Sequence, residues 1–92
     1  MNINRETLKE IILKAVEFYN GFLEENEKKK VDENMRLDES YGIDYNDFGA
    51  IMLLVFAFLR KKDIWFEMDK YDERLMAHRH IDRLVDFLIG VI

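Results

Sequence analysis

From Phe48 to Leu59 the chain runs twelve residues without a charged or polar side chain. The run is well short of the roughly 20 residues that cross a bilayer, so it is expected to be a buried helix. A helix that is apolar on every side must be covered, by the rest of the chain or by a partner. Proline is absent and only four glycines occur in 92 residues, so the strongest helix breakers are scarce. With 49% apolar residues there is material for one core, and a single all-α domain is the expected result.

The remaining apolar residues supply that cover at helical spacing. Leu8, Ile11, Ile12, Ala15, Val16, Tyr19, Phe22 and Leu23 recur at three- and four-residue steps, which predicts a first helix from near Asn4 to about Glu25. Asn4, with Thr7 following, suits its cap, while Gly21 costs roughly 1 kcal/mol inside a helix. The charged stretch to Asn34 has no apolar period and reads as loop. Asp44 is placed to cap a second helix, Tyr45 to Lys62, with Asp47 at the positive end of its dipole and Arg60, Lys61 and Lys62 at the negative end. Asp63 to Met68, with Ile64-Trp65-Phe66 at its centre, suits a short strand or a packed loop, and Tyr71 to Ala77 a helical turn. Ile81, Leu84, Val85, Leu88 and Ile89 predict a last helix from about His78 to Gly90. No internal repeat or low-complexity tract is present.

Charge and composition narrow the function classes. A net charge of −5 disfavours nucleic acid, whose phosphates call for clustered Lys and Arg. The run Lys28-Lys29-Lys30 is flanked by carboxylates and reads as a solvated segment. Cysteine is absent, which excludes a disulfide framework and agrees with a reducing, cytoplasmic interior. Met1 to Glu10 lacks the pattern of a secretory signal. Between Leu37 and Ala50 stand Asp38, Glu39, Asp44 and Asp47 with no cation, a patch suited to a basic partner.

Candidate chemistry is sparse. His78 and His80 are two apart and point to different faces of a helix, and His78 with Asp82 reads as an ion pair rather than a metal site. Asp69, Asp72 and Glu73 lack the glycine and spacing of a calcium loop. The carboxylates from Asp38 to Asp47 have no nucleophile or histidine beside them, so catalysis is not expected. Tyr41 and Tyr45 read as aromatic packing at the junction of loop and helix, with an acyl pocket as the competing assignment.

The order of a long helix, a long loop, an apolar helix, a short helix and a last helix resembles the four-helix bundle of the acyl carrier proteins. Glu6, Leu8, Ile11 and Ile12 resemble the start of that family's first helix, and Val31 and Leu37 the apolar anchors of its long loop. Gly42, Asp44 and Asp47 fall on the glycine and two aspartates of its attachment region, and Ile81, Leu84, Val85, Phe87 and Leu88 resemble its last helix. The match covers nearly the whole chain, with a length adjustment between Asp63 and Ala77. In the family, the serine after the first aspartate carries 4′-phosphopantetheine at a helix N-terminus, where an anion is tolerated. Here that position is Tyr45, whose phenol oxygen stands several ångströms beyond a serine hydroxyl, so no arm is expected on it. The single serine, Ser40, lies five residues upstream, and using it would shift every other match out of place. It reads as a loop hydroxyl making a local backbone bond.

Carrier proteins also present acidic residues along the second helix to basic patches on their enzymes. This helix has no charge between Asp47 and Arg60, and Ala50, Phe56 and Ala57 stand where the family tends to have glutamates. An apolar surface of that extent either packs on the length of helix one and the Trp65-Phe66 segment or is covered by a partner. Exposed patches of this kind usually mark interaction sites, which favours the partner, and a homodimer is the simplest one. The resemblance therefore implies a carrier-like module without cofactor or metal that binds a protein partner, an acyl-processing enzyme by analogy, through Asp38, Glu39, Asp44, Asp47, Ala50 and Phe56. The alternatives are a working acyl carrier modified at Ser40, and an unrelated helical structural or regulatory dimer.

Overall fold

The computed structural model describes residues 3–65, 73–75 and 77–91. Among them it is all-α: helices α1 (Arg5–Asn20), α2 (Tyr45–Arg60) and α3 (Ile81–Val91), with short 3-10 turns at Glu25–Glu27 and Glu39–Tyr41. Residues 73–75 and 77 are also helical, in agreement with the turn expected at Tyr71–Ala77, of which Tyr71, Asp72 and Met76 lie outside the described residues. Helix α1 packs on both α2 and α3.

Helix α1 begins as expected, with the Asn4 side chain accepting the Thr7 N–H at 2.8 Å, and buries Leu8, Ile11, Ile12, Ala15 and Val16. It ends at Asn20, five residues before the expected Glu25. The cause is local. The Gly21 N–H is shared between the carbonyls of Glu17 and Phe18, and the next two N–H groups bond in the tighter three-residue pattern that closes a helix. The Asn20 side chain then grips the backbone of Lys29 twice, accepting its N–H at 2.7 Å and donating to its carbonyl at 2.9 Å. The chain folds back, and Phe22 is left 73% exposed instead of extending the apolar stripe.

Helix α2 lies close to its expected limits and buries Phe48, Ile51, Met52, Val55, Phe56 and Leu59. Its carboxyl end is a Schellman motif. The Ile64 N–H returns to the Leu59 carbonyl and the Asp63 N–H to that of Arg60, both at 3.0 Å, with Asp63 left-handed at φ 61°. Ile64, expected in a strand or packed loop, is the buried residue that closes this motif, and Trp65 after it is 71% exposed. Phe66 to Met68 lie outside the described residues.

Helix α3 starts at Ile81, three residues after the expected His78. The residues before it are drawn away from helix by pairing with the segment between α1 and α2. The Leu37 N–H bonds the Arg79 carbonyl and the Ile81 N–H bonds the Met35 carbonyl, making an isolated antiparallel bridge between Arg36 and His80. Met35, Leu37 and Ile43 are fully buried there, and Val31 packs on the core at its edge. Residues 21–44 are thus nailed to the bundle by three apolar side chains and a two-bond bridge. No helix among the described residues is long and apolar enough to cross a membrane.

Candidate functional site

The amino end of α2 is built from its own cap outward. The Asp44 carboxylate accepts the Asp47 N–H at 2.8 Å, and the Asp47 carboxylate reaches back to the Asp44 N–H at 3.2 Å. This reciprocal box satisfies two backbone donors that the first turn would leave open. Tyr45, at the first helical position, projects outward and is 59% exposed.

Asp47 is held by more than its cap. The Tyr19 hydroxyl donates to one of its oxygens, and the Lys29 ammonium lies 3.2 Å from the other, with both side chains about 15% exposed. Burial raises the Asp47 carboxyl, but the bonds from Tyr19, the Asp44 backbone and Lys29 outweigh it and hold the group below the usual carboxylate range. The same bond pushes the Tyr19 phenol up to about 12, with burial and the Asp47 charge adding to it. Lys29 is therefore not the solvated cation expected from the lysine run. It is the counter-ion of α2's first turn, carried there by the Asn20 clamp on its backbone.

A second cation at this end of α2 is Arg79, from just before α3, and it binds backbone carbonyls rather than carboxylates. Its Nε donates to the Leu37 carbonyl at 2.7 Å and one Nη to those of Ile43 at 2.9 Å and Asp44 at 3.3 Å. The guanidinium lies 5.1 Å from the Phe48 ring centre, close enough for attraction to the ring face. A cation near the positive end of a helix is opposed by the dipole. Three carbonyl acceptors offset that repulsion. Arg79 had no apparent signal in the sequence; the one hint is an acidic segment without a local cation.

The other expected site residues fall in different settings. Asp38 caps the 3-10 turn, accepting the Ser40 N–H at 3.0 Å and its hydroxyl at 2.5 Å, with Arg36 Nε at 2.7 Å. The Ser40 bond, assisted by Arg36 and opposed by burial, pulls the Asp38 carboxyl down to about 2. The Ser40 hydroxyl is thus engaged locally, but by the Asp38 carboxylate and not by the backbone partner expected for it. Gly42 follows with φ 73°, a left-handed turn that brings the chain back to α2. Glu39 and Asp44 are exposed and Ala50 is half-buried. Phe56, expected on the partner-facing surface, is instead 5% exposed within the core. It lies one turn from Met52 and Leu59, which are also buried, so it is not offered to a partner.

Tyr41 packs against the core and its hydroxyl donates to Asp32 at 2.9 Å, which raises the phenol pKa. His78 does not pair with Asp82. It stacks on Phe87 at 5.0 Å between ring centres, and Asp82 pairs with Lys9 at 3.2 Å. Asp69 and Asp72 lie outside the described residues. Among those described, no group of three or more metal-ligating side chains is assembled. Neither a family model, a curated protein nor a solved structure matches the chain.

Proposed function

We propose that this protein is an acyl-carrier-like helical module that has lost the covalent arm and works as a noncatalytic binding partner. The observation that carries the reading is Tyr45, 59% exposed at the first position of α2 and directly after the capping Asp44. That is where the carrier resemblance requires the attachment serine. The long connection between α1 and α2, pinned by Leu37 and ending in Gly42 and the capping box, favours this reading over an unrelated helical dimer.

Ser40 is a poor substitute in its present setting. Its hydroxyl is engaged by the Asp38 carboxylate and it sits in a 3-10 turn, five residues before Tyr45, rather than at the start of a long helix. The binding surface under this reading is the exposed part of the rim, Glu39 and Asp44, with the outer face of α2 through Ala50. Asp38 and Asp47 shape it from within. The partner class, an enzyme handling acyl or polyketide chains in the cytoplasm, rests on the family analogy.

Intact-protein mass spectrometry after incubation with coenzyme A and a promiscuous phosphopantetheinyl transferase tests this directly. The native chain is expected to stay unmodified and Tyr45→Ser to gain one arm. An adduct on the native chain that is lost in Ser40→Ala would restore the working-carrier alternative and overturn the proposal.

A further inference from the structure

A cleft of about 330 Å³ opens between α1 and the carboxyl end of α2, lined among the described residues by Ile11, Lys14, Phe58, Lys61 and Lys62. Its floor is apolar, with Ile11 buried and Phe58 half-buried. Its rim is cationic, in a chain whose net charge is −5. None of the three lysines makes an ion pair among the described residues, whereas Lys9, Lys28 and Lys29 each meet a carboxylate.

Helix geometry explains why these cations converge. At 100° per residue, Lys61 and Lys62 stand about 60° and 40° to opposite sides of Phe58, and Lys14 about 60° around from Ile11. The Lys61 ammonium lies 5.8 Å from the Phe58 ring centre, attracted to the ring. Glu10 and Glu17 lie a turn from Lys14 but about 100° and 120° around from Ile11, so neither stands over the floor. Neither they nor Asp63 line the cleft. The closing turn of α2 already bonds the carbonyls of Ala57, Leu59 and Arg60, so those acceptors are not left to oppose an anion.

Beyond the lysines the floor continues as a line of rings. Phe58 meets Phe18 edge-on at 5.9 Å between centres, and Phe18 meets Phe22 in the same way at 5.3 Å. Phe18 and Phe22 are 51% and 73% exposed. The cationic rim and the aromatic track join at Phe58, so together they offer one place for a charge and a length of apolar surface leading away from it.

We infer that this cleft binds a single-chain amphiphilic anion, its head among Lys14, Lys61 and Lys62 and its apolar chain along Phe58, Phe18 and Phe22. Charge complementarity names the head, because three ammonium groups without a carboxylate attract an anion and repel a cation. The exposed rings name the tail, since a chain laid on them removes their surface from water. A volume at the small end of ligand pockets suits a compact head, with the chain outside it on the track. The site uses none of the acidic rim and stands independently of the carrier-like reading.

Monomeric decanoate tests this, by isothermal titration calorimetry and by the amide shifts it causes in NMR spectra. One-to-one binding with a dissociation constant below about 1 mM is expected, with the shifts centred on Ile11, Lys14, Phe58 and Lys61. Decanol and decyltrimethylammonium should bind at least about tenfold more weakly, the latter although the net charge of the chain favours a cation. Lys14→Gln, Lys61→Gln and Lys62→Gln combined should weaken decanoate at least about tenfold, and Phe18→Ser at least about threefold. Lys30→Gln, outside the cleft, should change it less than about twofold. All five side chains are exposed, so these variants report on binding rather than on folding. No decanoate binding, equal affinity for the three decyl compounds, or affinity that survives the triple substitution would overturn the proposal. So would a chain that binds phosphatidylserine vesicles and not monomeric decanoate, which would make the surface a membrane contact.

Discussion

The two ends of α2 are held in opposite ways. At the amino end the helix is wired to three other parts of the chain: Tyr19 from α1, Lys29 from the connection, and Arg79 from the approach to α3. At the carboxyl end the backbone closes on itself in the Schellman motif, Trp65 is solvent-exposed, and the lysines have no ion pair among the described residues. Half of the acidic rim that looked from the sequence like a reserve of free charge, Asp38 and Asp47, is internal structure, while Glu39 and Asp44 stay exposed. A long-range network fixes where the amino end sits, whereas local turns fix only where the carboxyl end stops.

The largest test of that contrast is Arg79→Ala. It leaves the carbonyls of Leu37 and Ile43 without their side-chain donor and removes the cation over Phe48. A loss of about 3 kcal/mol in urea unfolding is expected, since charged hydrogen bonds contribute about 1.5–3 kcal/mol and stranded acceptors add to it. Arg79→Lys should recover little, because one ammonium cannot span donors set by a planar fork. Lys61→Ala at the other end should stay within about 0.5 kcal/mol of the native chain. Equal effects at the two ends would end the comparison.

Next in size is Asp47→Ala, expected to destabilise by about 2 kcal/mol through loss of half the capping box and of the bonds to Tyr19 and Lys29. Tyr19→Phe should cost about 1 kcal/mol. A double-mutant cycle between the two should return a coupling near 1 kcal/mol, whereas additive effects would mean that the hydroxyl contributes nothing to holding α1 on α2.

The same bonds set the pH response. Asp38 and Asp47 titrate below their unfolded values, so their stabilisation is complete above the ordinary carboxylate range and is lost as acid protonates the folded state. For Asp38 the window runs from near pH 4 down to about 2. Tyr19 has the opposite sign. Its phenol is raised from 10.0 to about 12, so its contribution is complete below pH 10 and fades as pH rises toward 12. Denaturant midpoints measured across both windows should fall at each edge, and Tyr19→Phe should remove the Tyr19 part of the alkaline fall while leaving the Asp38 acid edge.

The features legible in the sequence were those set by near neighbours. The stripe from Leu8 to Val16 and the caps at Asn4 and Asp44 each follow from residues three or four apart, whereas the return bond from Asp47 to the Asp44 N–H was not read from them. Contacts across the chain left no such trace. Arg79 sits 42 residues from the Leu37 carbonyl it binds, and nothing in its local pattern distinguishes it from a surface arginine. Lys29 looked solvated because its acidic neighbours in sequence are not the carboxylate it meets in space. Phe56 was misplaced for a related reason. In a helix apolar on every face, periodicity does not say which side is covered, and that is decided by where α1 comes to rest on it.

The smallest expected effects compare the two left-handed residues that flank α2. Gly42, at φ 73°, has nothing within 4 Å of where a Cβ would stand, so Gly42→Ala is opposed by backbone conformation alone and should destabilise by about 1 kcal/mol. Asp63, at φ 61°, occupies a Schellman position that glycine fills more readily. Asp63→Gly should therefore stabilise by about 0.5 kcal/mol, the relief of strain being partly offset by the greater freedom of glycine in the unfolded chain. The two substitutions carry opposite signs for one physical reason, and thermal unfolding of both resolves it. If Asp63→Gly lowered the midpoint instead, the Asp63 carboxylate would have to be making an interaction that outweighs its backbone strain. The carboxyl end of α2 would then be held by a side chain, as the amino end is, and no longer by its backbone alone.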